Sequence, residues 1–145
     1  MKAEQMDWEE RLSELRKLTC SDFCAVAIYD TSARKIRWAA ASGYTNEKFR
    51  FMVNRPTQGI VGDVIRIGRT VQKICTPDEQ RRNDDYMMLA EHLHVAAAAP
   101  IQQELNLAGI IFMGRRTGVT YHPNELMELE SFSQRFSEKS GLQKS

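Results

Sequence analysis

Trp8, Leu12, Leu15 and Leu18 recur at spacings of four, three and three, with Glu9, Glu10, Arg11, Arg16 and Lys17 between them. An apolar stripe on a charged cylinder predicts an amphipathic helix over residues 6–18. A second stripe, Leu126, Leu129, Phe132 and Phe136, follows Pro123, which suits a first helical turn, and Glu125, which suits the positive end of the helix dipole. These two terminal helices can pack on each other, on a sheet or across a subunit interface.

Between them the apolar period shortens. Residues 23–29 and 35–41 are short β-type runs, separated by the polar residues 30–34, which have the length of a hairpin loop. Residues 70–74 read as a third strand and 95–102 as a fourth, small on both faces because of Ala96, Ala97, Ala98 and Ala99. A fifth, 107–115, follows the polar turn 103–106. Helical inserts at 46–52 and 59–67 separate the second and third strands, and an irregular or helical segment, 77–93, precedes the fourth. This order predicts an α+β fold, a central antiparallel sheet of five to six strands with flanking N- and C-terminal helices. Residues 1–140 read as a single domain and 141–145 as a flexible tail.

The stretch from Thr57 to Val71 carries the strongest local signal. Gly59 and Gly62 allow close backbone approach, Ile60, Val64 and Ile67 share one helical face, and Gly68 suits the left-handed residue past a helix end. A helix opening at Ile60 and Val61 presents N–H groups without intrahelical partners, a cradle for a small anion or a ligand carbonyl. The same glycines would equally serve a turn that packs a helix against a sheet.

Composition narrows the function. At 145 residues, with 42% apolar and 27% charged positions, the chain can bury a real core. The longest nearly apolar run, 95–101, is too short to cross a membrane, and Met1-Lys2-Ala3-Glu4 leads into acidic residues rather than a signal region, so a cytoplasmic location is expected. Twenty Lys and Arg against nineteen Asp and Glu, without a basic block, argue against nucleic acid as a ligand. Cys20, Cys24 and Cys75 lack the paired spacings of a zinc site or a disulfide framework. Cys24 reads as core, Cys20 and Cys75 as ordinary thiols. His92 and His94, with Glu91, Asp84 and Asp85 nearby, lack a metal-ligand frame and read as solvated, and His122 reads as a helix cap. Residues 81–85 read as a solvated loop that could also lie over a pocket as a lid. No phosphate loop, dinucleotide fingerprint or nucleophile elbow is present, so neither a cofactor nor a catalytic residue is expected.

The element order, with Gly59-Ile60-Val61-Gly62, Gly68-Arg69-Thr70-Val71 and the closing strand Leu107-Ala108-Gly109-Ile110-Ile111-Phe112-Met113-Gly114, resembles a GAF domain from about Leu15 to Phe136. The resemblance implies a small-molecule sensor whose sheet and overlying helices enclose a ligand. The segment Trp38-Ala39-Ala40-Ala41-Ser42-Gly43-Tyr44-Thr45-Asn46 is similar to the stand-alone nitrate-receptor GAF proteins of the NreA type. That similarity implies a nitrate held by a strand tryptophan, by main-chain amides opening the next helix and by a strand end, here Trp38, Ile60, Val61, Ala99, Pro100 and Ile101. It further implies a sensor histidine kinase as partner in a two-component system, and a homodimer is a further expectation. Val61 stands where that family often has a smaller alanine, and Ala99 brings neither hydroxyl nor ring. An alternative reading is a GAF-fold interaction or dimerisation module with an unused pocket. A weaker one is a thiol-dependent enzyme like the free methionine sulfoxide reductases, which would need a cysteine near residues 92–100, where none occurs.

Overall fold

Alternation along Phe23–Asp30 (β1) and Lys35–Ser42 (β2) sends apolar side chains to both faces, so this hairpin can form a wall only if each side is covered. The computed structural model describes residues 2–74, 86–104 and 106–139. The expected tail, 141–145, lies outside them. Val53–Asn54 (β3), Val71–Ile74 (β4), Val95–Gln103 (β5) and Asn106–Arg115 (β6) complete a six-stranded sheet of order β3-β2-β1-β6-β5-β4. Every neighbouring pair is antiparallel. The fold is α+β, with helices at Lys2–Thr19 (α1), Gly59–Ile67 (α2), Tyr86–Ala90 (α3) and Pro123–Lys139 (α4).

The two faces carry separate apolar layers. Phe23, Ala25, Ala27, Trp38, Ala96, Ala98 and Phe112 pack with Ile60, Val61 and Val64 of α2 and Met87 and Met88 of α3. On the other face Val26, Val95, Ala97, Ala99, Ile101 and Ile111 meet Trp8, Leu12 and Leu15 of α1 and Leu129, Phe132 and Phe136 of α4. The terminal helices also touch each other, with the Trp8 and Phe136 rings edge to face, centroids 6.3 Å apart.

Two expectations change in detail. The α1 stripe runs Trp8, Leu12, Leu15, Thr19, because Leu18 is 51% exposed while Thr19 is fully buried. Thr19 fits there because its hydroxyl donates to the carbonyl of Leu15 at 2.7 Å and pairs with Ser21, whose hydroxyl pairs in turn with Tyr121. Between β2 and α2, the insert expected over 46–52 is helical only at Lys48–Phe51, as one 3-10 turn. Val53 and Asn54 then pair with Arg37 and Ile36 as the sixth strand.

One guanidinium joins the terminal helices. Arg115, at the end of β6, donates to the carbonyls of Thr19, Cys20, Val119 and Thr120 and to the carboxylate of Glu125, 2.7 Å away. Glu125 also accepts the His122 backbone N–H at 2.8 Å, so His122 caps α4 through its main chain.

Candidate functional site

The corner at residues 57–68 folds as its glycines require. Gly59 has φ +57°, and a Cβ on Gly62 would lie 2.5 Å from the carbonyl carbon of Thr57, so only glycine allows the helix to start so close to its own loop. Gly68 closes α2 at φ +76°, its N–H bonded to the carbonyl of Val64 at 2.7 Å. The first turn of α2 therefore opens toward the sheet, with Ile60 and Val61 buried in the same apolar layer as Trp38.

Trp38 is 5% exposed and its ring stands edge-on to Phe112, centroids 5.6 Å apart at 79°. Its indole N–H donates to Oδ1 of Asn54 at 2.8 Å. Asn54 is itself buried, so the indole donor is satisfied within the protein.

The strand end expected to complete the site divides. Ala99 and Ile101 lie in the layer under α1 and α4, on the face opposite Trp38 and Ile60, because side chains alternate along β5 and Ala96 and Ala98 take the α2 side. Ala99 and Pro100 line a groove with Gly68, Thr70 and Glu130 at the edge of the sheet, where Thr70 donates to Glu130 at 2.6 Å. The structure thus gathers Trp38, Ile60 and Val61 in one layer and turns the side chains of Ala99 and Ile101 away from it.

A polar clamp stands beside this layer. Glu91, 1% exposed, accepts the Thr45 N–H at 3.0 and 3.2 Å, the Thr45 hydroxyl at 3.0 Å and Nη2 of Arg116 at 2.6 Å. Arg116 returns its Nε to the Glu91 carbonyl, and Asn46 donates its side-chain amide to the carbonyl of Ala90. The loop after the tryptophan strand, the end of α3 and the end of β6 are tied at one point.

Among the described residues no cluster of three or more His, Cys, Asp or Glu could hold a metal. Cys24 is buried and its thiol is pushed up by that burial, so it is no nucleophile at neutral pH, whereas Cys20 is exposed. Cys75 and residues 81–85, including Asp84 and Asp85, lie outside the described residues. Among those described, no helix is long and apolar enough to cross a membrane.

No family model matches the chain, and no curated protein matches it. Solved structures do. NreA from Staphylococcus aureus, in a form mutated in its nitrate-binding site, is 27% identical and superposes with a TM-score of 0.69, covering 80% of this chain and 88% of that one. The GAF domain of a phosphoenolpyruvate-protein phosphotransferase from Coxiella burnetii gives 0.80 at 15% identity over 94% and 81%. The chain has the GAF-domain fold and is similar to NreA. A type II free methionine-R-sulfoxide reductase from Thermoplasma acidophilum shares the GAF fold at 0.77 and 10% identity over 97% and 94%, a likeness of architecture alone.

The layer holding Trp38, Ile60 and Val61 is the one that α2 and α3 cover. Sequence reasoning missed Asn54 there. A two-residue strand leaves no periodic signal, and the side chain it pairs with lies sixteen residues away.

Proposed function

We infer that this chain is a sensor that binds nitrate or a similar small monovalent anion and regulates a partner sensor histidine kinase, acting as a binding protein rather than an enzyme. The observation that carries this reading is the 27% identity, over 80% of the chain, to a protein with a nitrate-binding site. The opening of α2 supports it. The partial positive charge of a helix start, set in an apolar layer, favours a weakly hydrated anion even where no basic side chain is near. Occupancy would draw α2 toward Trp38 and favour one arrangement of the covering helices, and the kinase would read that bias. The protein is taken to work in the cytoplasm, as one domain over residues 1–140, alone or as a homodimer.

A second reading, an interaction module with an unused pocket, is favoured by the Trp38–Asn54 hydrogen bond, which occupies the donor a ligand would want. One titration separates the two. Calorimetry with nitrate, nitrite and chloride should show saturable nitrate binding that weakens at least tenfold in Trp38→Phe, and adding nitrate should change the kinase's autophosphorylation only when this protein is present. An absence of heat and of thermal stabilisation with every anion would discard the sensor reading.

A further inference from the structure

The β1–β2 hairpin end bounds a cavity of about 680 Å³, lined by residues 28–32, by residues 37–39 and by Arg50 of the 3-10 turn. Neither Ile60 nor Val61 lines it. Its size falls within the ~300–1,000 Å³ usual for small organic ligands and far exceeds what a four-atom anion fills. The lining combines carbon and charge. Ile28, Trp38 and Ala39 supply apolar surface, and Arg37 and Arg50 supply two guanidinium groups from separate elements.

The two arginines differ in how they are held. Arg37 is exposed and lies opposite Ile28 in the strand register, and among the described residues its guanidinium has no hydrogen-bond or ion-pair partner. Arg50 is placed in advance by an ion pair to Glu47 through Nε and by the rings of Phe49 and Tyr44, whose centroids lie 4.9 and 5.8 Å from its guanidinium carbon. Its guanidinium also bonds the Tyr44 side chain, and a fork of five N–H donors has more than these two partners use. Asp30 is the acidic residue of the lining, and its Oδ1 is committed to the turn, accepting Ser32 N–H at 3.1 Å, Ser32 hydroxyl at 2.9 Å and Ala33 N–H at 3.1 Å. These bonds, with the nearby Arg37 charge, hold its carboxyl below the usual carboxylate range, so Asp30 stays ionised and offsets part of the positive charge while its Oδ1 stays engaged in the turn.

The geometry points to a second ligand site here, for an organic oxyanion whose carboxylate or phosphate sits between Arg37 and Arg50 and whose apolar body lies on Ile28 and Ala39. A guanidinium fork matches the oxygens of either group, and the carbon lining rewards a ligand larger than the bare anion. This site shares Trp38 with the nitrate reading but uses neither Ile60 nor Val61 of α2.

Calorimetry on the full chain with benzoate, phenyl phosphate and inorganic phosphate, with and without saturating nitrate, tests it. Benzoate or phenyl phosphate should bind saturably, and whichever binds identifies the oxyanion. Inorganic phosphate should bind at least tenfold more weakly, for want of the apolar body. Arg37→Gln should weaken binding at least tenfold with an unchanged melting curve, since the side chain is exposed. Arg50→Gln should do the same, with Arg50→Lys, which keeps the charge, recovering part of the affinity. The proposal is overturned if neither organic probe saturates, if Arg37→Gln binds as the wild type does, or if nitrate displaces the probe competitively.

Discussion

The indole N–H of Trp38 ends on the side-chain carbonyl of Asn54, 2.8 Å away, with both side chains buried. The bond spans β2 and β3 and holds the indole edge-on to Phe112. A ligand that takes the indole donor must displace that carbonyl.

Replacing Asn54 therefore has a signed consequence. Asn54→Leu strands a buried indole N–H and should destabilise the protein by about 1–3 kcal/mol in urea denaturation. The indole N–H resonance of Trp38 should move upfield in the same variant. An unchanged resonance would show that the bond does not form in solution.

The clamp at Glu91 predicts a larger loss. Glu91→Ala removes a 1% exposed carboxylate that accepts from Thr45 and Arg116, leaving a partly buried guanidinium without its anion, at a cost of about 3–5 kcal/mol. Arg116→Ala should cost a similar amount and the double variant far less than the sum, by denaturation. Additive losses would show that the two side chains act separately.

Two glycines of the same helix should respond differently to alanine. At Gly62 a Cβ would strike the Thr57 carbonyl carbon at 2.5 Å, and at Gly68 it would meet no atom within 4 Å but would inherit φ +76°. Gly68→Ala should cost about 1–2 kcal/mol of backbone strain. Gly62→Ala must displace main chain and should cost more than that, and thermal melts of the pair rank them.

Alkaline pH should weaken the fold through two groups. Burial pushes the Cys24 thiol and the Tyr121 phenol up, so the native state keeps protons that the unfolded chain releases. Their contribution is complete below the unfolded values of about 8.5 for a thiol and 10 for a phenol, and falls as pH rises beyond them. Each proton adds a slope of up to about 1.4 kcal/mol per pH unit. Cys24→Ala should delete the decline that starts near pH 8.5 and Tyr121→Phe the one that starts near pH 10, as read from urea midpoints between about pH 7 and 11.

The sheet and terminal helices were legible because their apolar periods are long enough to repeat, as with Leu126, Leu129, Phe132 and Phe136. Leu18 misled because apolar character alone cannot tell which residue a helix face reaches next, and a hydroxyl that bonds its own backbone can be buried there. Ala99 and Ile101 were matched by their place at a strand end, while the parity that turns them away follows from which alanines face α2. Asn54 with Trp38, and Glu91 with Thr45 and Arg116, are contacts between distant segments. No local pattern announces such pairs.

Alanines 96–99 give the sheet an unusual mechanical property where β5 runs. Ala96 and Ala98 touch the layer under α2, and Ala97 and Ala99 the layer under α1 and α4, all four nearly inaccessible to solvent. An alanine side chain has no alternative heavy-atom rotamer, so a displacement arriving on one side cannot be taken up there by a rotamer change. A movement of α2 by a few tenths of an ångström is therefore expected to pass through β5 to the terminal helices.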